Sequence, residues 1–166
     1  MKKVLSLILA VLIVGLFGIF AIGSGEDDSN DNQGNGNSSV NSDDSNLGNY
    51  SVEIKSFRLA EDYEGKKVVI VKYNFTNNGD DSQSFNIAFD DNVYQNGVGL
   101  NEAYILADNA NYSADNQSKE IKKGASLEVE VAYNLNDTTS DIEVEVEELI
   151  SFNDKKVTKT FSIKEQ

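Results

Sequence analysis

The longest uninterrupted run of strand formers beyond the N-terminal segment is Lys67 to Asn77, KVVIVKYNFTN. Val69, Val71, Tyr73 and Phe75 alternate to one side, Val68 and Ile70 to the other. Both faces are therefore apolar at the start of the run, the pattern of a strand covered on both sides. Toward its end the second face turns polar at Lys72, Asn74 and Thr76, and Asn77-Asn78-Gly79-Asp80 supplies turn residues that tolerate positive φ. Upstream, Tyr50, Val52 and Ile54 alternate, and Phe57 and Leu59 resume after a change of phase at Lys55-Ser56, which predicts either a bulge or a strand that crosses between sheets. Glu61 to Lys66 is a polar hairpin connection. Downstream, Phe85, Ile87 and Phe89 alternate with Asn86 and Ala88 and predict a further strand.

From Asp91 to Lys119 the pattern is least regular. Val93, Tyr94, Val98, Leu100, Ala103, Ile105 and Leu106 are candidates for burial, Asn101 to Leu106 fits a short helix, and Asp108 to Lys119 reads as a loop. A loop this long is either a crossover between sheets, the reading its length favours, or a functional loop. The pattern then becomes regular again. Leu127, Val129, Val131, Tyr133 and Leu135 alternate with polar positions, as do Ile142, Val144 and Val146 with Glu143, Glu145 and Glu147, giving half-buried strands. A last hairpin turning near Asn153-Asp154 predicts Phe152 opposite Lys155, Ile150 opposite Val157, Val146 opposite Phe161 and Val144 opposite Ile163. It also sets Glu148 against Lys159, a pair worth about 0.2–1 kcal/mol. The elements together predict an all-β fold, an immunoglobulin-like antiparallel β-sandwich of about seven strands.

Ahead of it stands Met1-Lys2-Lys3 and then Val4 to Ile22, 19 residues without a charge. A secretion signal has an apolar region of roughly 7–15 residues, and a bilayer span needs roughly 20. Ala21 and Gly23 approximate a small-x-small cleavage site, which fits a cleaved signal ending near Gly23; the length favours an uncleaved signal-anchor helix. Both readings leave the lysines in the cytoplasm and carry the rest outside. Gly25 to Asn49 is nearly all Asp, Asn, Ser and Gly, with only Val40 and Leu47 to bury, the composition of a disordered acidic tether. Asp31, Gln33, Asn35 and Gly36 partly fit a helix-loop-helix calcium loop, but Ser42 stands where a bidentate Glu is required. Three parts are thus expected: residues 1–24 as signal or transmembrane helix, 25–49 as linker, and 50–166 as the sandwich.

Charge narrows the partners. With 28 acidic and 14 basic residues the chain carries a formal charge of -14, which repels phosphate backbones and makes nucleic acid an unfavourable partner. There is no Cys and no His, so thiolate sites, Cys nucleophiles, His-dependent triads, imidazole bases and lipidated Cys are all missing. Adjacent carboxylates occur at Asp80-Asp81, Asp90-Asp91 and Glu147-Glu148, as a chain this acidic produces without any catalytic role. Glu128, Glu130, Glu143, Glu145 and Glu147 read as a solvated outer face. No nucleophile elbow, phosphate-cradling loop or metal-ligand spacing is present. The expectation is a non-enzyme with no cofactor and no metal.

The segments KVVIVKYNFTNN at Lys67–Asn78, VYQNGVGL at Val93–Leu100, IKKG at Ile121–Gly124 and AYNLNDTTS at Ala132–Ser140 together resemble the family catalogued as domain of unknown function 5067. The resemblance spans roughly Tyr50 to Ile163. It implies an immunoglobulin-like extracytoplasmic domain of Gram-positive bacteria, often found in lipoproteins, with no assigned activity and hence no catalytic residues to carry over. This chain departs from the pattern in lacking a lipidation Cys and in having Lys123 where an IKPG-like turn has Pro. The expected function is a membrane-tethered or secreted surface interaction or ligand-binding module. Its partner would be a protein or envelope ligand, its membrane contact the N-terminal helix, and its contact residues Tyr94, Gln95, Asn96, Gly97, Tyr104 and Tyr112. The alternatives are a carboxylate-dependent envelope hydrolase and a structural spacer without a dedicated ligand.

Overall fold

A computed structural model of the chain describes residues 45–151 and 154–165. The expected N-terminal helix, most of the acidic tether, and Phe152-Asn153 lie outside the described residues. Seven strands form two antiparallel sheets. One has the order β1-β2-β5, with β1 Tyr50–Glu61, β2 Lys67–Asn77 and β5 Ser126–Asn134. The other has the order β4-β3-β6-β7, with β3 Phe89–Gln95, β4 Val98–Gly99, β6 Ile142–Glu148 and β7 Lys156–Phe161.

β2 is the inner strand of its sheet, as its two apolar faces predict. Val69, Val71, Tyr73 and Phe75 enter a core shared with Val129 and Val131 of β5 and with Val93, Ile142, Val144 and Val146 of the other sheet. Val68 and Ile70 point outward, yet they too are buried, in a second cluster with Ala103 and Ala132 against which Ala60, Leu106 and Tyr112 pack. The covering layer is the segment between β4 and β5, which crosses from one sheet to the other. Burying a side chain of this size contributes about 1.5–3 kcal/mol, so leaving that face to water would be costly. Arg58 of β1 ties the segment down, donating to the carbonyls of Ala110 (2.6 Å) and Asn111 (3.1 Å) and to the Glu130 carboxylate (2.9 Å). The amides of Asn116 and Gln117 donate to the carbonyls of Glu128 (2.9 Å) and Glu130 (2.7 Å). They occupy the edge of β5 that would otherwise invite another strand.

The predicted bulge is present as a register shift between Ile54 and Ser56. The Asp62–Lys66 turn closes as expected, with the Asp62 carboxylate accepting from the backbone N–H of Glu64 and Lys66, both at 2.8 Å. The fold takes in residues ahead of Tyr50. Leu47 is buried in the main core, Val52 N–H donates to Ser45 O at 2.9 Å, and Leu47 N–H donates to Tyr50 O at 3.0 Å.

Three expectations are corrected. Phe85–Ala88 is a single helical turn, α1, and not a strand. Phe85 and Ala88 are buried at helical spacing, and Ala88 N–H donates to Ser84 O at 3.0 Å. Phe85 stacks among Tyr73, Phe75 and Phe89 at centroid distances of 5.2, 6.2 and 5.4 Å, while Ile87 is 53% exposed. Asn101 to Leu106 forms no helix. Its backbone pairs instead in isolated bridges, Glu102 with Tyr133 and Leu106 with Asp62, an extended path that leaves Tyr104 and Ile105 exposed.

The last hairpin has a different register, with Val146 opposite Val157, Val144 opposite Lys159 and Ile142 opposite Phe161. After Glu148 the chain turns away, because Leu149 N–H donates to Ala88 O at 3.0 Å, so the connection is longer than two residues. Glu148 accepts instead from Asn49 N–H (3.1 Å), and Lys159 Nζ donates to the carbonyls of Ile54 (2.9 Å) and Lys55 (3.2 Å) beside the bulge. The slip is an even number of residues, so every side chain keeps its predicted face.

The α1 turn separates two neighbours sharply. Phe85→Ala is expected to destabilise the fold by about 3–5 kcal/mol, and Ile87→Ala by no more than about 0.5 kcal/mol, in urea unfolding of each variant. Equal losses would restore the strand assignment.

Candidate functional site

One end of the molecule is built around two loops, and its geometry starts at the β3–β4 hairpin. Gln95 pairs with Val98, leaving Asn96 (φ 54°) and Gly97 (φ 75°) as a two-residue loop. Both residues have positive φ, the primed turn for which Asn-Gly is the preferred sequence. Gln95 points inward and is buried. Its amide oxygen accepts from the N–H of Asn136 (2.9 Å) and Asp137 (3.0 Å), and its NH2 donates to the carbonyls of Asp137 and Ser140, both at 3.0 Å. One side chain thus holds the β5–β6 loop against the hairpin.

Asp137 closes that loop on itself. Its carboxylate accepts from the N–H of Thr139 (2.8 Å) and Ser140 (2.7 Å) and from the Ser140 hydroxyl (2.8 Å). These hydrogen bonds, the backbone ones first, hold its pKa down at about 2. Asn96 Nδ2 donates to the Asp137 carboxylate (3.2 Å) and to Ser140 Oγ (3.0 Å). Alongside, Tyr94, Glu143 and Thr160 stand opposite one another across β3, β6 and β7. They line a cavity of about 490 Å³ together with Asn96, Gly97, Ser140, Asp141, Ile142 and Lys164.

Of the residues expected to make contacts, Tyr94, Asn96 and Gly97 line this cavity, and Gln95 lies beneath it as the anchor of its walls. Tyr104 is 81% exposed on the crossover. Tyr112 is half-buried against the outer β2 cluster, with its hydroxyl accepting from Gln117 Nε2 at 3.0 Å. Neither belongs to the cavity's lining. The β5–β6 loop and Lys164 were not anticipated as part of this end. The Asp-Thr-Thr-Ser run, a side-chain-capped turn, was the available signal for the loop.

A second polar cluster lies between the sheets. Asp91 takes an inward position of β3 with Phe89 and Val93 on either side. The Tyr133 hydroxyl of β5 donates to its carboxylate and lies 3.5 Å from the Tyr73 hydroxyl of β2. Burial pushes the Asp91 carboxyl up to about 7; the Tyr133 hydrogen bond opposes the shift and the nearby Glu102 charge adds to it. Burial also raises both tyrosine hydroxyls well above their usual range. In the sequence Asp91 stands out only as half of an adjacent acid pair. The inward register of Phe89, Val93 and Gln95 is what places it, partly buried, on the inner face of β3. It lines none of four surface cavities, including the one at the loop end. Among the described residues no group of three or more His, Cys, Asp or Glu side chains is placed to hold a metal ion, and no helix is long and apolar enough to cross a membrane.

A family model described as "Domain of unknown function (DUF5067)" matches residues 25–148. No curated protein sequence matches the chain. Among solved structures the chain is similar to one described as "a putative lipoprotein from Staphylococcus aureus", with a TM-score of 0.56 and 23% sequence identity over 70% of this chain and 86% of that one. At that identity the likeness is one of fold.

Two outcomes follow from these clusters. The folded chain keeps a proton on Asp91 between the ordinary Asp value of 3.8 and about 7, where the unfolded chain has released it. The resulting stabilisation is fully present below about pH 4 and is lost as pH rises toward 7. Urea unfolding across this window should show wild type losing stability relative to Asp91→Asn, with a slope of at most about 1.4 kcal/mol per pH unit; a pH-independent difference would contradict the assignment. Gln95→Ala strands two backbone N–H groups at about 1–3 kcal/mol each, so a loss of at least about 2 kcal/mol is expected, against no more than about 0.5 kcal/mol for Tyr104→Ala.

Proposed function

The chain belongs to the DUF5067 family, and from that premise we propose that it is an extracytoplasmic, immunoglobulin-like β-sandwich that acts as a surface interaction or ligand-binding module held at the membrane by its N-terminal segment. The observation that carries this reading is the polarity of the domain along its strands. Glu148, whose carboxylate meets Asn49 N–H, pairs with Phe89 at the start of β3. Gln95 ends the same strand and pairs with Ile142 beneath the loop cluster. The chain therefore joins the domain at one end and presents its braced loops and their cavity at the other, the arrangement in which sandwich domains use loops for recognition.

Retention at the membrane is supported by the uncharged run from Val4 to Ile22, which is close to the roughly 20 residues of a span. The similarity in fold to a structure described as a lipoprotein agrees with an envelope location. This chain has no Cys to carry a lipid, which leaves the apolar run from Val4 to Ile22 as the proposed anchor. The negative charge of the whole chain favours partners that are neutral or cationic.

The full chain, produced in Gram-positive cells with a photo-cross-linking amino acid in place of Tyr94, tests this reading. It should fractionate with membranes, lose its domain to protease added outside intact cells, and form an adduct with an envelope component on irradiation. A soluble cytoplasmic product, or an exposed chain that yields no adduct, would overturn it.

A further inference from the structure

We propose that the cavity at the loop end is a saccharide site, taking a polyhydroxylated, non-anionic sugar unit against Tyr94 and the carboxylates of Asp141 and Glu143. The inference rests on reading this end of the domain as its contact region, and it names the chemistry of the ligand. At about 490 Å³ the cavity falls within the roughly 300–1,000 Å³ of ligand sites.

Its walls are formed before any ligand arrives. The Asn96-Gly97 turn is locked to Asp137 and Ser140, and the buried Gln95 amide holds both loops from beneath, so little ordering remains to oppose binding. Tyr94 is half-buried, and its ring carbons lie 3.7 and 3.9 Å from where a Cβ on Gly99 would stand. The ring thus packs against β4 at ordinary contact distance and also lines the cavity, where it offers an apolar surface to the C–H face of a sugar ring.

Hydrogen-bonding capacity around that platform points to the same class. The Asn96 NH2 is engaged, which leaves its amide oxygen as an acceptor. Asp141 and Glu143 add two acceptor-only groups. None of the side chains of Asp141, Glu143 and Lys164 has a hydrogen-bond or ion-pair partner among the described residues, whereas Lys55, Lys66, Lys67, Lys72, Lys123 and Lys156 are all in ion pairs. Thr160 contributes a hydroxyl. The cavity is therefore rich in acceptors, and its two carboxylates outnumber its single ammonium, Lys164. A ligand bearing many O–H or N–H donors is matched; one bearing phosphate, sulfate or uronate is repelled. Donor-rich, non-anionic and with one apolar face describes a neutral or amino sugar.

The full chain in detergent micelles, titrated calorimetrically with cellotetraose, chitotetraose, the glucosamine tetramer and an anionic uronate tetramer, tests the proposal. Saturable binding is expected for at least one of the three non-anionic tetramers and not for the uronate. Tyr94→Ala and Glu143→Gln should each weaken it by about tenfold, the size of one good hydrogen bond or stacking contact. Glu143 is exposed, so Glu143→Gln leaves the fold intact and decides the matter if Tyr94→Ala unfolds. No binding by any tetramer, equal binding of the uronate, or unchanged affinity in Glu143→Gln would overturn the site. An exposed chain that cross-links through Tyr94 yet binds no saccharide defeats this proposal and leaves the surface-module reading standing; a saccharide-binding chain confined to the cytoplasm does the reverse.

Discussion

Everything in this fold depends on covering the outer face of β2. A strand with Val69, Val71, Tyr73 and Phe75 on one side and Val68 and Ile70 on the other cannot sit in a sheet with one wet face, because the apolar area left in water would offset much of what the core contributes. The answer is a crossover that pays twice, closing over Val68 and Ile70 while blocking the edge of β5. Arg58 makes the arrangement possible. Its planar fork reaches two consecutive carbonyls and one carboxylate, a geometry a lysine ammonium does not reproduce.

The two sheets are held together mainly by aromatic and aliphatic packing, with Tyr50, Phe75, Phe85 and Phe89 meeting edge to face. Into this apolar interior the chain introduces one acid, Asp91, reaching from β3 to the hydroxyl on β5. A partly buried carboxyl satisfied by a tyrosine is less stabilising than a hydrocarbon of the same shape. What it adds is direction, since only one lateral placement of the sheets lets the carboxylate, Tyr133 and Tyr73 meet. The same logic operates at the loop end, where Gln95 fixes two loops through a single buried amide.

Periodicity revealed the long elements because their faces are uniform. The two-sided burial of β2, the bulge at Ile54, the alternation in β5 and β6 and the crossover are all local patterns or follow from chain length. It misread Phe85 to Ala88 because four residues are too few to distinguish a period of two from one of 3.6, and Ile87 fitted either. The last hairpin was misaligned for another reason. Its register is decided by Leu149 bonding to Ala88, a partner 61 positions away, and no pattern within the hairpin records that. At the loop end, Asn96-Gly97 announced its own turn, while the approach of Asp137, Ser140 and Lys164 was set by sheet order.

The terminal strands give the domain a mechanical character. β1 and β7 lie side by side at the same flank, joined by Phe57 stacking on Phe161 at 5.1 Å and by Lys159 on the carbonyls at the bulge. The first described residues sit at one end of the strands and the β3–β4 and β5–β6 loops at the other. A domain gripped by its loops and drawn by its first residues would carry the load lengthwise through β1. The β1–β2 hydrogen bonds would then be sheared together instead of unzipped in turn, the loading direction in which a sheet resists extension best.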